Sequence, residues 1–234
     1  MAEDRNRARD RTESRDEDAR RADVRDTYDR IATHFASTRE YAWPEVETFV
    51  EAHASDVAGV GLDLGCGNCR HAELLAAHLE SVVGLDVSRG LLETGQTRAL
   101  KRGFAVDLIQ GDAAALPLAT DSIDVAVYVA TLHHLPTRAA RTASLDELAR
   151  VLRPGGHALV SAWSTAHDKF EETEGFDTTI EWTLPGGETV DRFYHIYAPD
   201  EFEAELADSA LECREVELSS GNCYATVTGT GSNA

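Results

Sequence analysis

GLDLGCGN, residues 61–68, is a short apolar run that ends in two closely spaced glycines. Ligands of open α/β sheets sit beyond the carboxyl ends of the strands, where glycine lets the backbone approach them closely. Gly65 and Gly67 therefore mark a binding loop. A dinucleotide-binding fingerprint would need a third glycine three residues after Gly67, where Arg70 stands, so the loop is expected to take another kind of ligand. Asp63, at the end of the strand, is placed to orient the loop or, through water, a ligand ammonium group. Cys66 and Cys69 have the spacing of a metal or redox pair. No second pair lies at zinc-site spacing, so packing and loop geometry account for them and no metal is expected.

Outward from this stretch, short apolar runs alternate with helical patterns: HAELLAAHL (71–79), SVVGLDV (81–87), LLETGQTRALKRG (91–103), FAVDLIQ (104–110), SIDVAVYVATL (122–132), SLDELARVL (144–152) and HALVSAW (157–163). Such alternation predicts crossover units, hence a parallel sheet with helices on both faces. Asp86 ends the second strand about twenty residues beyond the glycines, where a carboxylate can accept both hydroxyls of a ribose. Asp112 ends the third. It can accept from an adenine amino group, with Ala113 and Ala114 leaving room for the ring, or it can cap the helical turn that follows.

Ahead of the sheet, Val24, Tyr28, Ile31 and Phe35 have helical spacing, and Pro44 opens a second helix. After Trp163, IEWTL (180–184), a Pro-Gly-Gly turn and ETVDRFYHIY (188–197) read as a hairpin, and residues 164–198 as an insertion near the active edge. A helix from Pro199 and two strands, ECREVELS and NCYATVTG, close the pattern, and the end, GTGSNA, is expected to fray. Residues 1–22 are dense in both charges and poor in large apolar side chains, which predicts a mobile tail before a single domain over 23–234.

Asp and Glu number 42 against 22 Lys and Arg, for a formal charge of −20, and only Lys101 and Lys169 are lysines. Such a surface resembles that of cytosolic proteins of salt-loving organisms, where about 1 M salt cuts the Debye length to about 3 Å and screens the self-repulsion. No apolar run reaches the roughly 18 residues of a membrane-spanning helix, and four irregularly spaced cysteines fit a reducing, cytoplasmic setting.

The three strand ends, with LRPGG (152–156), which is similar to the turn such enzymes place before their fifth strand, resemble the class I S-adenosylmethionine-dependent methyltransferases, departing at Cys69, where many members carry a third glycine. The resemblance implies a Rossmann-like, mostly parallel seven-stranded sheet with an antiparallel C-terminal strand. It implies S-adenosylmethionine as donor, leaving S-adenosylhomocysteine, held by Tyr28, Asp63, Leu64, Gly65, Gly67, Asp86, Val87, Asp112, Ala113 and Leu132.

A narrower resemblance is carried by YDRIATHFASTREYAWPEVETFV (28–50), VATLHHL (129–135), DRFYHIY (191–197) and GNCY (221–224). These are similar to the tRNA methyltransferases that esterify 5-carboxymethyluridine at the wobble position. The resemblance implies a tRNA substrate and a small zinc-binding activator subunit, for which the edge strand 104–110 offers free backbone groups. A carboxylate acceptor is already ionised at neutral pH, so it needs a clamp rather than a base. The clamp candidates are His133, Arg39, Arg192 and His34, with Tyr194 beside them.

Each candidate has a second reading. Arg39 can hold the donor's own carboxylate with Tyr28. His34 can be a structural histidine on an amphipathic helix, and His134 is expected in packing or solvent. Arg192 and Tyr194 share one face of their strand, Phe193 and His195 the other, and one face lines the site. Two other functions stay open: a small-molecule methyltransferase of the quinone or polyketide type with a greasy pocket, and a non-catalytic donor-binding module of an RNA-modifying complex.

Overall fold

The computed structural model describes residues 2–55 and 58–229, with side chains from residue 19 onward. Five strands, β1 (Val60–Leu64), β2 (Ser81–Asp86), β3 (Asp107–Gln110), β4 (Ile123–Val129) and β5 (Leu152–Trp163), run parallel. Strands β8 (Leu211–Ser219) and β9 (Asn222–Gly229) complete one seven-stranded sheet in the order β3-β2-β1-β4-β5-β9-β8. β9 pairs antiparallel with both neighbours, so it alone runs against the rest of the sheet. The expected architecture is the observed one.

The period-two pattern of the strands divides the core. Leu62, Leu64, Ala126, Tyr128, Ala158 and Val160 face α5 (Arg138–Val151) and α6 (Pro199–Ala207). Val125, Val127, Val129 and Leu159 face the other way, with α2 (Pro44–Ala54) and α3 (Arg70–Ala76). A buried Arg141 forks onto Glu205, which also accepts from the Tyr197 hydroxyl, and so joins α5 to α6. β3 is shorter than the expected 104–110 and lies at one edge, with β8 at the other. LRPGG is not a turn ahead of β5. It forms the first residues of the strand, with the register shifting between Pro154 and His157.

α1 (Ala2–Ser37) crosses the carboxyl ends of the strands. The charged segment 1–22, expected as a mobile tail, forms its leading turns from residue 2 on, and most of its side chains lie outside the described residues, as does most of GTGSNA. Tyr28, Ile31 and Ala32 of α1 pack with Leu91 of α4 (Arg89–Arg102) and with Val190 of the hairpin β6 (Phe176–Thr183) and β7 (Thr189–Ile196). The Asp29 carboxylate accepts from the Ser88 hydroxyl at 2.6 Å and the Gly90 amide at 2.8 Å, tying α1 to the start of α4. The hairpin forms its own two-stranded sheet, held to α1 by this apolar seam and by an Arg30–Glu188 ion pair. Among the described residues no helix is long and apolar enough to cross a membrane.

Candidate active site

The loop after β1 adopts left-handed backbone at Gly65 (φ +73°), Gly67 (φ +53°) and Cys69 (φ +62°). A Cβ at Gly65 would collide with the Thr131 side chain, whereas one at Gly67 meets no protein atom and would project into the cleft in front of it. Cys69 thus keeps the glycine-like conformation of the position where the resemblance expects glycine. Amides of Gly65 and Cys66 donate to the Leu85 carbonyl, which fixes the loop to the end of β2.

The carboxylates sort into two kinds. Asp86, 7% exposed, accepts from the Gly67 amide at 2.8 Å and the Ser88 amide at 2.9 Å, and its remaining lone pairs face the cleft. Burial pushes its carboxyl up to about 6 against the pull of those amides. Asp63 lines no cleft. It accepts from the Ala72 amide at 2.8 Å in the first turn of α3, so it orients the loop and helix, and burial raises it to about 7. Asp112 combines both readings open from sequence: one oxygen accepts from the Ala114 amide, and the carboxylate lies in the cleft wall. Its other oxygen is paired with Arg21 of α1 at 2.8 Å.

Two adjoining clefts lie over these strand ends. The first, of about 790 Å³ including its open mouth, runs from Asp86 and Val87 to Asp112 and Ala113 between apolar walls of Val24, Leu91, Leu135 and Pro136. Tyr28, Gly65 and Gly67 also line it, but Leu64 and Leu132 are fully buried in the core and do not. Its shape suits a nucleoside: a buried carboxylate at hydroxyl height, an apolar slot for a flat ring, and a glycine cradle that a side chain would fill. The residues present therefore fit S-adenosylmethionine.

The second, of about 1060 Å³, is a polar chamber beyond Tyr28 and His134, which line both clefts. Arg39, Arg70 and Arg192 reach it together with His133, Trp163 and Tyr194. Among the described residues lining it none is an aspartate or glutamate, in a chain of 42 acids. None of the three arginines is ion-paired among the described residues. Arg39 donates to its neighbour Thr38, Arg70 to the Tyr41 carbonyl, and Arg192 to the Tyr194 hydroxyl at 2.6 Å. Burial lowers Arg39 and brings Arg70 down to about 10, which leaves both charged at neutral pH. The buried Nε of Arg192 has no partner, so the chamber holds unspent donor capacity.

The histidines of β4's end are fixed as neutral tautomers. His133 Nδ1 accepts from the Trp163 amide at 2.9 Å, which leaves the proton on Nε2, and burial holds the ring well below its ordinary pKa. His134 was expected in packing or solvent; instead it joins the two clefts. Its Nδ1–H donates to the Phe193 carbonyl at 2.9 Å and its Nε2 accepts from the Tyr28 hydroxyl at 2.8 Å, with burial bringing it down to about 3. His34 lines neither cleft and accepts from the Trp182 indole N–H at 3.1 Å. On β7 it is the Arg192–Tyr194 face that lines the chamber, while His195 sits between Asp177 and Glu201. Arg70, Trp163, Arg21 and His134 were not singled out from sequence. The one available sign was Arg70, an arginine where a glycine fingerprint would continue.

Residues 62–160 match the family model described as a methyltransferase domain. The tRNA (carboxymethyluridine(34)-5-O)-methyltransferase of Arabidopsis thaliana is 34% identical over 160 residues, 68% of this chain and 36% of that protein. The chain thus spans about a third of that relative's length. Among solved structures, an S-adenosylmethionine-dependent methyltransferase from Clostridium acetobutylicum superposes with a TM-score of 0.68 at 14% identity, covering 85% of this chain and 99% of that one. A chain of the complex between the Haloferax volcanii Trm112 methyltransferase activator and the putative methyltransferase gives 0.66 at 14% identity, covering 90% and 99%. The fold is the class I, Rossmann-like methyltransferase fold.

Proposed function

We propose that the chain is an S-adenosylmethionine-dependent tRNA methyltransferase that converts the carboxymethyl group of a wobble uridine to its methyl ester. The observation that carries this is a chamber, next to a nucleoside-shaped cleft, whose described lining holds no acid and three guanidinium groups without an ion pair. Such a chamber suits an anionic acceptor and the donor's own carboxylate, and not the greasy pocket of a quinone or polyketide enzyme. The printed name of the Arabidopsis relative supports the same acceptor.

When bound, S-adenosylmethionine supplies a methyl on a sulfonium, open to in-line displacement by a nucleophilic oxygen. Asp86 takes the ribose hydroxyls, Asp112 and the apolar slot the base, and the Gly65–Gly67 backbone lets the chain of the donor pass. Arg39, Arg70 and Arg192 share two carboxylates, that of the donor and that of the acceptor. Neutral His133 offers its Nε2–H as a hydrogen bond to the acceptor, which orients one oxygen without taking its charge away. Alignment of this kind can supply about 7–11 kcal/mol of the barrier. No strong base is required, because a carboxylic acid with a reference pKa near 4 is ionised at neutral pH.

An activator subunit like that of the Haloferax volcanii complex is part of the proposal, seated on the β3 edge where backbone groups lack a neighbouring strand. A cytoplasmic setting fits four free cysteines. The test is to incubate the protein, with and without a co-purifying activator, with labelled donor and undermethylated tRNA, then digest to nucleosides. Label in a base-labile ester on uridine is the expected result. Label on a base amine, or none under either condition, overturns the proposal.

A further inference from the structure

Among the described residues three large apolar side chains stand exposed, Tyr41, Leu100 and Leu218, and Tyr41 is the aromatic one, at 77% exposure. Trp43, two residues on, is partly buried against the core, whereas the Tyr41 ring is left to solvent. Tyr41 stays out because its backbone is held.

The segment between α1 and α2 is pinned from three directions by side chains that donate to its carbonyls. Asn68 of the glycine loop reaches the Ala36 and Arg39 carbonyls at 3.1 and 2.7 Å. Arg98 of α4 reaches the Glu40 carbonyl at 2.6 Å, and Arg70 reaches that of Tyr41 itself at 3.2 Å. Two of these donors, Asn68 and Arg70, line the acceptor chamber, and so do Arg39 and Trp43 on either side of Tyr41 in the chain. A loop held by its carbonyls thus presents a solvated aromatic ring between two residues, Arg39 and Trp43, that line the cationic chamber.

A ring on a held backbone, with the Arg70 guanidinium on its own carbonyl, is what a single-stranded nucleic acid needs at its binding site. Every base offers a π-face, stacking on an aromatic side chain costs less when the backbone that carries it is already held, and the phosphates find the arginines. We infer that Tyr41 is a stacking platform for the base next to the one that enters the chamber. This rests on the RNA-acceptor reading above and adds the residue that selects how the loop is splayed. In a protein of charge −20, where phosphate contacts weaken steeply with salt, a stacking contact is also the kind that keeps its strength.

The test uses the full chain with its activator and two anticodon stem–loop RNAs, each carrying 2-aminopurine on one side of the wobble uridine. Binding is expected to quench one probe strongly in the wild type. Tyr41→Ala is expected to lose that quenching and to raise KM for tRNA roughly 5- to 50-fold, with kcat at saturating tRNA and donor affinity unchanged. Tyr41→Phe restores both, and the loss persists when salt is raised. Quenching and KM within twofold of wild type in Tyr41→Ala overturn the inference, as does failure of Tyr41→Phe to restore them. Loss of activator co-purification in Tyr41→Ala with RNA quenching intact makes the ring a protein contact and also overturns it. Quenching that depends on Tyr41 in a wild type that makes no methyl ester would instead leave this inference standing and remove the proposed reaction.

Discussion

Asp63 and Asp86 are both buried at strand ends, yet they are expected to respond to substitution in opposite ways. Asp63 touches only the Ala72 amide and, at 4.0 Å, the His71 ring, with Arg70 and Asp86 as its nearest other charges. Its carboxyl, raised to about 7, binds a proton more tightly in the folded chain than in the unfolded one. Stability it contributes is therefore lost as pH rises from about 4 to 7 and stays lost above. Asparagine keeps the acceptor and cannot ionise. Asp63→Asn is expected to melt higher than the wild type at pH 8, by on the order of 2–4 kcal/mol, and at nearly the same temperature near pH 4.5, as thermal scans at the two pH values would show. Asp86 faces the cleft instead. Asp86→Ala is expected to weaken donor binding at least 30-fold in calorimetry, about 2 kcal/mol. In the wild type the affinity is expected to fall as pH drops through about 6, where Asp86 takes up its proton, and the variant to lack that dependence. Unchanged affinity in Asp86→Ala would remove the ribose assignment.

At the scale of elements, α1 shows why part of the site could be read from sequence and part could not. The strand ends were legible because glycine and aspartate at fixed offsets after apolar runs answer to local backbone rules. Which side chains of α1 and the hairpin meet over those ends is decided by packing between segments more than a hundred residues apart. Tyr28 meets His134 across 106 positions and Trp182 meets His34 across 148. Periodicity placed His34 on a helix without revealing which neighbour would satisfy it, and it left His134 to packing or solvent because nothing local shows the Phe193 carbonyl opposite. α1 is fastened in its last third by Asp29, which serves as an added cap to α4. Asp29→Ala is expected to cost about 1–2 kcal/mol in denaturant unfolding. It is also expected to weaken donor binding several-fold, because the same helix carries Val24 and Tyr28 into the cleft wall. A variant with unaltered donor affinity would show that α1 does not shape that wall.

Over the whole molecule, 42 acids against 22 bases set a net negative field, while among the described residues the chamber wall carries positive and neutral groups and no acid. Screening is expected to relieve the self-repulsion: raising salt from about 0.1 M to about 1 M shortens the Debye length from about 10 to 3 Å. The melting temperature is expected to climb over that range, and a flat or falling trend would show that surface charge does not limit stability. The direction of β9 carries a different consequence. Because it runs against its neighbours, its first residue, Asn222, arrives at the same end of the sheet as the tips of β1 and β4, and it completes a chamber that begins with Tyr28. The first cleft is lined by residues no later in the chain than Pro136, a stretch roughly the size of one compact unit, and needs none of the later strands. The chamber waits for β9 to be threaded in beside β5, so its wall is finished only after the five parallel strands are in place.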